Sequence, residues 1–83
     1  MRSSKPVIKN DTLDLHGVRH AEVSRKIDLF LNETIDSDND FLYIVTGFSK
    51  EMQDITIDTI SDYNLDYEIG DPWNHGYIKI NLL

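Results

Sequence analysis

The chain has 83 residues, no cysteine and a formal charge of −7. A chain of this length makes one domain with a modest core, burying about 60–65% of the surface its unfolded form exposes. The composition excludes a disulfide scaffold, a thiol nucleophile and a cysteine-rich zinc site. No apolar run nears the ~20 residues that span a bilayer, so no membrane partner is expected.

Residues 1–10 carry Arg2, Lys5, Lys9 and Pro6 with little apolar content, and are predicted to be an N-terminal tail. They lack the apolar stretch of a secretory signal, so a cytoplasmic location is expected. The domain is expected over residues 11–83. Thr12 to His16 alternate, with Leu13 and Leu15 on one face and Thr12, Asp14 and His16 on the other. That period of two is the mark of a strand, and Gly17 ends it. Residues 20–35 fit a helix, with Val23, Ile27, Phe30, Leu31 and Thr34 on one stripe. The acidic stretch from Asp36 to Asp40 is predicted to be a loop.

Phe41 to Thr46 is a short apolar run, expected to be a central strand buried on both faces. Gly47 breaks it, and Ser49 is placed to cap a second helix carrying Met52, Ile55, Thr59, Ile60 and Tyr63 on one stripe. Asn64 suits the end of that helix. Leu65, Tyr67 and Ile69 alternate with acids in a predicted edge strand. After a loop from Gly70 to Gly76, Ile78, Ile80 and Leu82 alternate in a last strand. The order β-α-β-α-β-β implies an α/β two-layer sandwich, with a four-stranded mixed sheet and both helices on one face. The expected core is Leu13, Leu15, Ile27, Phe30, Leu31, Ile44, Ile60, Ile78 and Ile80.

Charge is uneven along the chain. Residues 1–30 hold six cations against four acids, whereas residues 31–83 hold only Lys50 and Lys79 against eleven acids. A polyanion would have to approach a face built from the N-terminal half. Asp36, Asp38 and Asp40 open like a calcium loop, but the glycine and later glutamate that such a loop requires are missing. His16 and His20 stand four apart with Gly17 between them, so one helix cannot present both to zinc.

Chemistry concentrates in Leu13-Asp14-Leu15-His16-Gly17. A strand puts Asp14 and His16 on one face, where a carboxylate can orient an imidazole or share a metal with it. The plainer reading is a strand end with two solvated polar residues. LDLHG followed by a helix ending in Phe-Leu resembles the small MutS-related domain, the Smr domain. Thr46-Gly47-Phe48-Ser49 stands at the family's second signature, with Ser49 at its second glycine and Phe48 where many members carry a cation. Gly76 to Leu82 is similar to the third. The resemblance spans residues 11–83. It implies a fold like that of the C-terminal domain of translation initiation factor three. It also implies nucleic-acid binding, and in several members endonuclease activity on DNA or RNA.

On that resemblance Asp14 and His16 are the catalytic candidates, Gly17 shapes the turn, and Thr46 and Gly47 belong to the binding loop. A divalent ion, magnesium or manganese, is a candidate cofactor at Asp14. From the residues themselves, Arg19 and Lys50 are expected to flank His16 and stabilise phosphoryl charge, and the Gly47 loop to offer N–H groups to a phosphate. Phe48 has two open readings, a stacking platform for a base or a loop residue folded onto the core. Trp73 is expected to cover an edge of the core, and His75 is a further candidate for the site. Tyr43 and Tyr77 are placed on the open sheet face or simply in their strands. With a basic footprint of at most Arg19, Arg25, Lys26, Lys50 and Lys79, nucleic-acid binding is expected to be weak. An alternative of a different class is a catalytically inactive interaction module on the same fold, meeting a protein partner.

Overall fold

The computed structural model describes residues 11–34, 38–70, 73–74 and 76–83. The tail predicted for residues 1–10 lies outside them, as do Asp36 and Ser37 of the acidic loop. Six elements follow in the expected order: β1 (Thr12–Asp14), α1 (His20–Thr34), β2 (Phe41–Val45), α2 (Lys50–Ser61), β3 (Asp66–Ile69) and β4 (Tyr77–Asn81). The sheet runs β1-β2-β4-β3. β1 and β2 are parallel, and β4 is antiparallel to both β2 and β3, so the sheet is mixed.

One core joins the layers. Leu15, Leu42, Ile44, Ile78 and Ile80 from the sheet meet Val23, Ile27, Phe30 and Leu31 from α1 and Met52 and Ile60 from α2. The period of two in the strands puts alternate residues against the helices. Leu13, expected in the core, is only partly buried because β1 is an edge strand. β2 is central but not buried on both faces. Leu42 and Ile44 are buried, while Phe41, Tyr43 and Val45 are half-buried on the face that carries no helix. Aromatic contacts make that open face partly self-covering. Tyr43 and Tyr77 stack tilted with ring centres 6.2 Å apart, and the Lys79 ammonium lies 4.2 Å from the centre of the Phe41 ring.

The helices are fastened to each other by polar contacts as well as packing. Ser24 Oγ and Thr59 Oγ1 are 2.9 Å apart, and the Tyr63 hydroxyl donates to Asp28 Oδ1 at 2.8 Å. Buried Thr34, Thr56 and Thr59 turn their hydroxyls back to the carbonyls four residues earlier, so each of these three hydroxyls has a partner. α2 is capped at its C-terminus by Asp62. Asn64 adopts the left-handed φ of +57° two residues later, which turns the chain toward β3. Trp73 is 92% exposed and covers no part of the core.

Two outcomes test this packing. Ile44→Ala is expected to lose about 2–5 kcal/mol in chemical denaturation, because a fully buried side chain on the central strand leaves a cavity. The bond to Asp28 and its negative charge hold the Tyr63 hydroxyl in its protonated form, above the ordinary 10.0. The stability from this contact is present below pH 10 and is lost as pH rises through that higher value. Tyr63→Phe is therefore expected to lower stability by about 1 kcal/mol at pH 7. The gap to wild type should close under alkaline conditions in denaturation curves taken across pH.

Candidate functional site

Two turns meet at the C-terminal ends of the parallel strands β1 and β2, the place where open α/β sheets hold ligands. The first turn is Leu15–Val18, closed by the Val18 N–H donating to the Leu15 carbonyl at 3.0 Å. Gly17 holds its third position at a φ of +80°, the conformation a type II turn reserves for glycine. A Cβ there would meet open space, so the demand for glycine is conformational rather than steric. Asp14 Oδ1 accepts the main-chain N–H of His16 at 2.9 Å. The carboxylate thus fixes the backbone that carries His16 and not the imidazole ring. Among the described residues the ring makes no hydrogen bond and stands exposed.

The second turn is Thr46 to Ser49. The N–H groups of Thr46 and Gly47 both donate to the Gly76 carbonyl, each at 2.9 Å. The Thr46 and Gly47 N–H groups are thereby occupied, so a phosphate at this loop would have to take the N–H groups that follow Gly47. Gly47 sits at a φ of +70°. Gly76 packs against it so closely that a Cβ on Gly76 would lie 3.6 Å from Gly47 Cα and 3.1 Å from Asn74 Oδ1. The two glycine-bearing stretches found in the sequence are therefore in direct contact. Ser49 has an extended φ of −73°, so this position needs no glycine. Its hydroxyl caps α2 by accepting the Met52 N–H at 3.2 Å.

Between the turns lies a cleft of about 410 Å³. Asp14, His16, Gly17, Thr46, Gly47 and Phe48 all line it. Arg19 and Lys50 do not. Lys50 Nζ instead reaches back to Asp54 Oδ1 at 3.4 Å, one turn along α2. Lys26 lines a separate hollow with Leu13 and Phe30, and Lys79 is over Phe41. The expected basic footprint is thus scattered. His75 lies outside the described residues. Phe48 is 78% exposed, so it is not folded onto the core and the stacking geometry is open to it.

Leu15, Val45 and Met52 supply an apolar floor that motif reasoning does not single out. Its signal in the sequence is modest: Val45 ends a strand, and Met52 stands three residues past the cap. No lysine or arginine is among the lining residues, and the polar groups come from Asp14, His16, Thr46 and Ser49. Such a cleft suits a flat, mostly apolar group with a polar edge better than a bare phosphate. One Asp14 oxygen is already engaged, and among the described residues no three His, Asp or Glu side chains are grouped to hold a metal. A link outside the cleft also escapes the sequence: His20 Nδ1 is 3.2 Å from Glu51 Oε1, joining the first turns of α1 and α2.

The glycine and the cap make different demands. Gly47→Ala is expected to cost about 1–2 kcal/mol, the usual penalty of a left-handed residue with a Cβ. Ser49→Ala should cost about 0.5–2 kcal/mol and Ser49→Gly only a few tenths, as the cap is lost but the backbone is unstrained. Thermal melting of the three variants checks the order. No protein-family model, curated protein or solved structure matches this chain. No helix among the described residues is long and apolar enough to cross a membrane.

Proposed function

We propose that this is an Smr-like domain that binds single-stranded RNA, with an unstacked base in the cleft and the adjoining phosphodiester beside His16. The observation that carries the reading is that His16 and Phe48, brought in by separate elements, line the same apolar-floored cleft. An exposed phenylalanine provides a stacking surface for any base, worth about 1–3 kcal/mol. The lack of lysine and arginine at the cleft argues against tight capture of a duplex backbone.

RNA is the favoured substrate on chemical grounds. Among the described residues Asp14 is the one carboxylate that lines the cleft, and a route that needs no metal takes its nucleophile from the substrate. The 2′-hydroxyl attacks the adjacent phosphorus while an exposed imidazole takes its proton. The bond from phosphorus to the 5′-oxygen breaks, a 2′,3′-cyclic phosphate forms, and the leaving oxygen is protonated from water. His16 is the proton acceptor. Asp14 acts through it, holding the His16 backbone in place and thereby the direction of the ring. Turnover is expected to be slow, because no lysine or arginine is among the described residues that line the cleft.

A second reading has an observation of its own in favour. Lys50 is tied to Asp54, and neither it nor Arg19 lines the cleft, as a non-catalytic interaction module would allow. Binding and cleavage separate the two. By fluorescence anisotropy, a single-stranded oligoribonucleotide should bind weakly. The slope of log affinity against log salt should be no steeper than about −2, at ~0.7 per phosphate contact on a single strand. Phe48→Ala should weaken binding, and His16→Ala should reduce cleavage by about 10²–10⁴-fold. His16 is exposed, so melting should shift by less than ~0.5 kcal/mol equivalent. Binding without cleavage keeps the RNA-binding site and removes the catalytic role of His16, whereas a stable fold that binds no RNA selects the interaction module. Absence of binding, or cleavage unchanged in His16→Ala, overturns the RNA reading.

A further inference from the structure

β3 is exposed along its whole length and forms the edge of the sheet farthest from β1. Its free edge can be read from the ladder. The Leu82 N–H donates to the Asp40 carbonyl and the Thr46 N–H to the Gly76 carbonyl, each at 2.9 Å. Bonded and unbonded pairs alternate in an antiparallel ladder. With Leu42 opposite Ile80 and Ile44 opposite Ile78, the even-numbered residues of β4 bond toward β2, and Tyr77, Lys79 and Asn81 bond toward β3. The β3 residues across from Lys79 and Asn81 are Glu68 and Asp66. The main-chain N–H and C=O groups of Tyr67 and Ile69 therefore point outward, unpaired by the sheet.

The side chains on this edge are sorted by face. Asp66 and Glu68 stand on the helix-free face, exposed, and neither makes an ion pair among the described residues. Tyr67 and Ile69 stand on the helix side, yet are 39% and 46% exposed. An added strand would set its own residues opposite these, one face against two carboxylates and the other against two apolar groups.

We propose that the outer edge of β3 is a docking site for an extended basic segment of a partner protein, in which Lys or Arg alternates with apolar residues. Such a segment gains main-chain bonds to Tyr67 and Ile69, places its cations opposite Asp66 and Glu68, and buries its apolar residues on Tyr67 and Ile69. A second copy of this chain is disfavoured. Antiparallel self-pairing centred on Tyr67 sets Asp66 against Glu68, and centring on Glu68 sets it against itself; like charges directly opposite are destabilising. A nucleic acid is disfavoured by the same two carboxylates. The site is independent of the cleft, which lies at the β1 and β2 strand ends.

The test uses the full chain and a set of synthetic peptides alternating Lys or Arg with Val, Ile or Tyr. Binding is followed by calorimetry and by amide hydrogen exchange. The expected result is binding with slowed exchange at the Tyr67 and Ile69 amides and little change at Asp66 and Glu68, whose amides already bond to β4. N-methylation of the peptide at its pairing positions should weaken binding at least tenfold. The double variant Asp66→Lys, Glu68→Lys should do likewise for the basic peptides and confer binding of peptides with Glu in place of Lys. Its melting temperature should fall only slightly, since both positions are exposed and the one new cost is a lysine at position 68 opposite Lys79. Failure of every peptide to bind overturns the proposal. So does protection mapped to the cleft, or binding indifferent to charge reversal. A concentration-dependent dimer in sedimentation that is lost in the double variant would assign the edge to a second copy instead.

Discussion

The Gly76 carbonyl accepts two main-chain N–H groups, those of Thr46 and Gly47, and much of the molecule follows from that junction. It ends β2, brings the start of β4 alongside, and sends Gly47 into a left-handed turn that an ordinary residue enters only at a cost. Past the turn Phe48 is left exposed and Ser49 is placed to cap α2. The cap directs α2 back over the sheet, where Met52 joins both the core and the cleft floor. Close packing supports the junction, because a Cβ on Gly76 would crowd the Asn74 side chain at 3.1 Å while touching the Gly47 backbone at ordinary contact distance. A displacement here would move the cleft wall, the helix start and the strand register as one.

The charge pattern and the cleft are parts of one picture. The acids concentrate after residue 30, and β3 carries two of them at the sheet edge far from β1. The cleft at the β1 and β2 ends has an imidazole and hydroxyls at its rim but neither lysine nor arginine. A ligand held there is recognised by stacking and apolar contact more than by charge. The basic segment proposed as a partner would find its complement at the opposite edge. The two surfaces differ in chemistry enough that one small domain can serve both without competition.

Most of the fold was legible in the sequence because its signals are periodic and strong. The alternation of Leu13, Leu15 and of Ile78, Ile80 marked strands, and Val23, Ile27, Phe30 and Leu31 marked a helix that begins at His20 as expected. What escaped were features set by position in the sheet. Phe41, Tyr43 and Val45 are as apolar as Leu42 and Ile44, and only the absence of helices on their face leaves them half-buried. In the site, LDLHG and the Gly47 stretch marked two turns that do share a cleft. The partners of individual groups could not be read. The Asp14 carboxylate binds a main-chain amide rather than the imidazole, Lys50 turns to Asp54, and the Gly47 N–H belongs to Gly76. Each of these depends on angles of a few tens of degrees that residue spacing does not encode. Ser49 is the instructive case. It stands at the second glycine of the resembled signature, yet the backbone there is extended and the hydroxyl caps α2, as its place before the helix predicts.

The central claim is that His16 and Phe48 form one ligand site. The most direct measurement is a nuclear magnetic resonance titration of the full chain with a short single-stranded oligoribonucleotide, following the His16 imidazole and Phe48 ring signals together. Both sets of signals are expected to shift along a common binding curve, with the Met52 methyl group shifting alongside them and β3 unaffected. Shifts of one ring without the other, or shifts confined to residues outside the cleft, would contradict it.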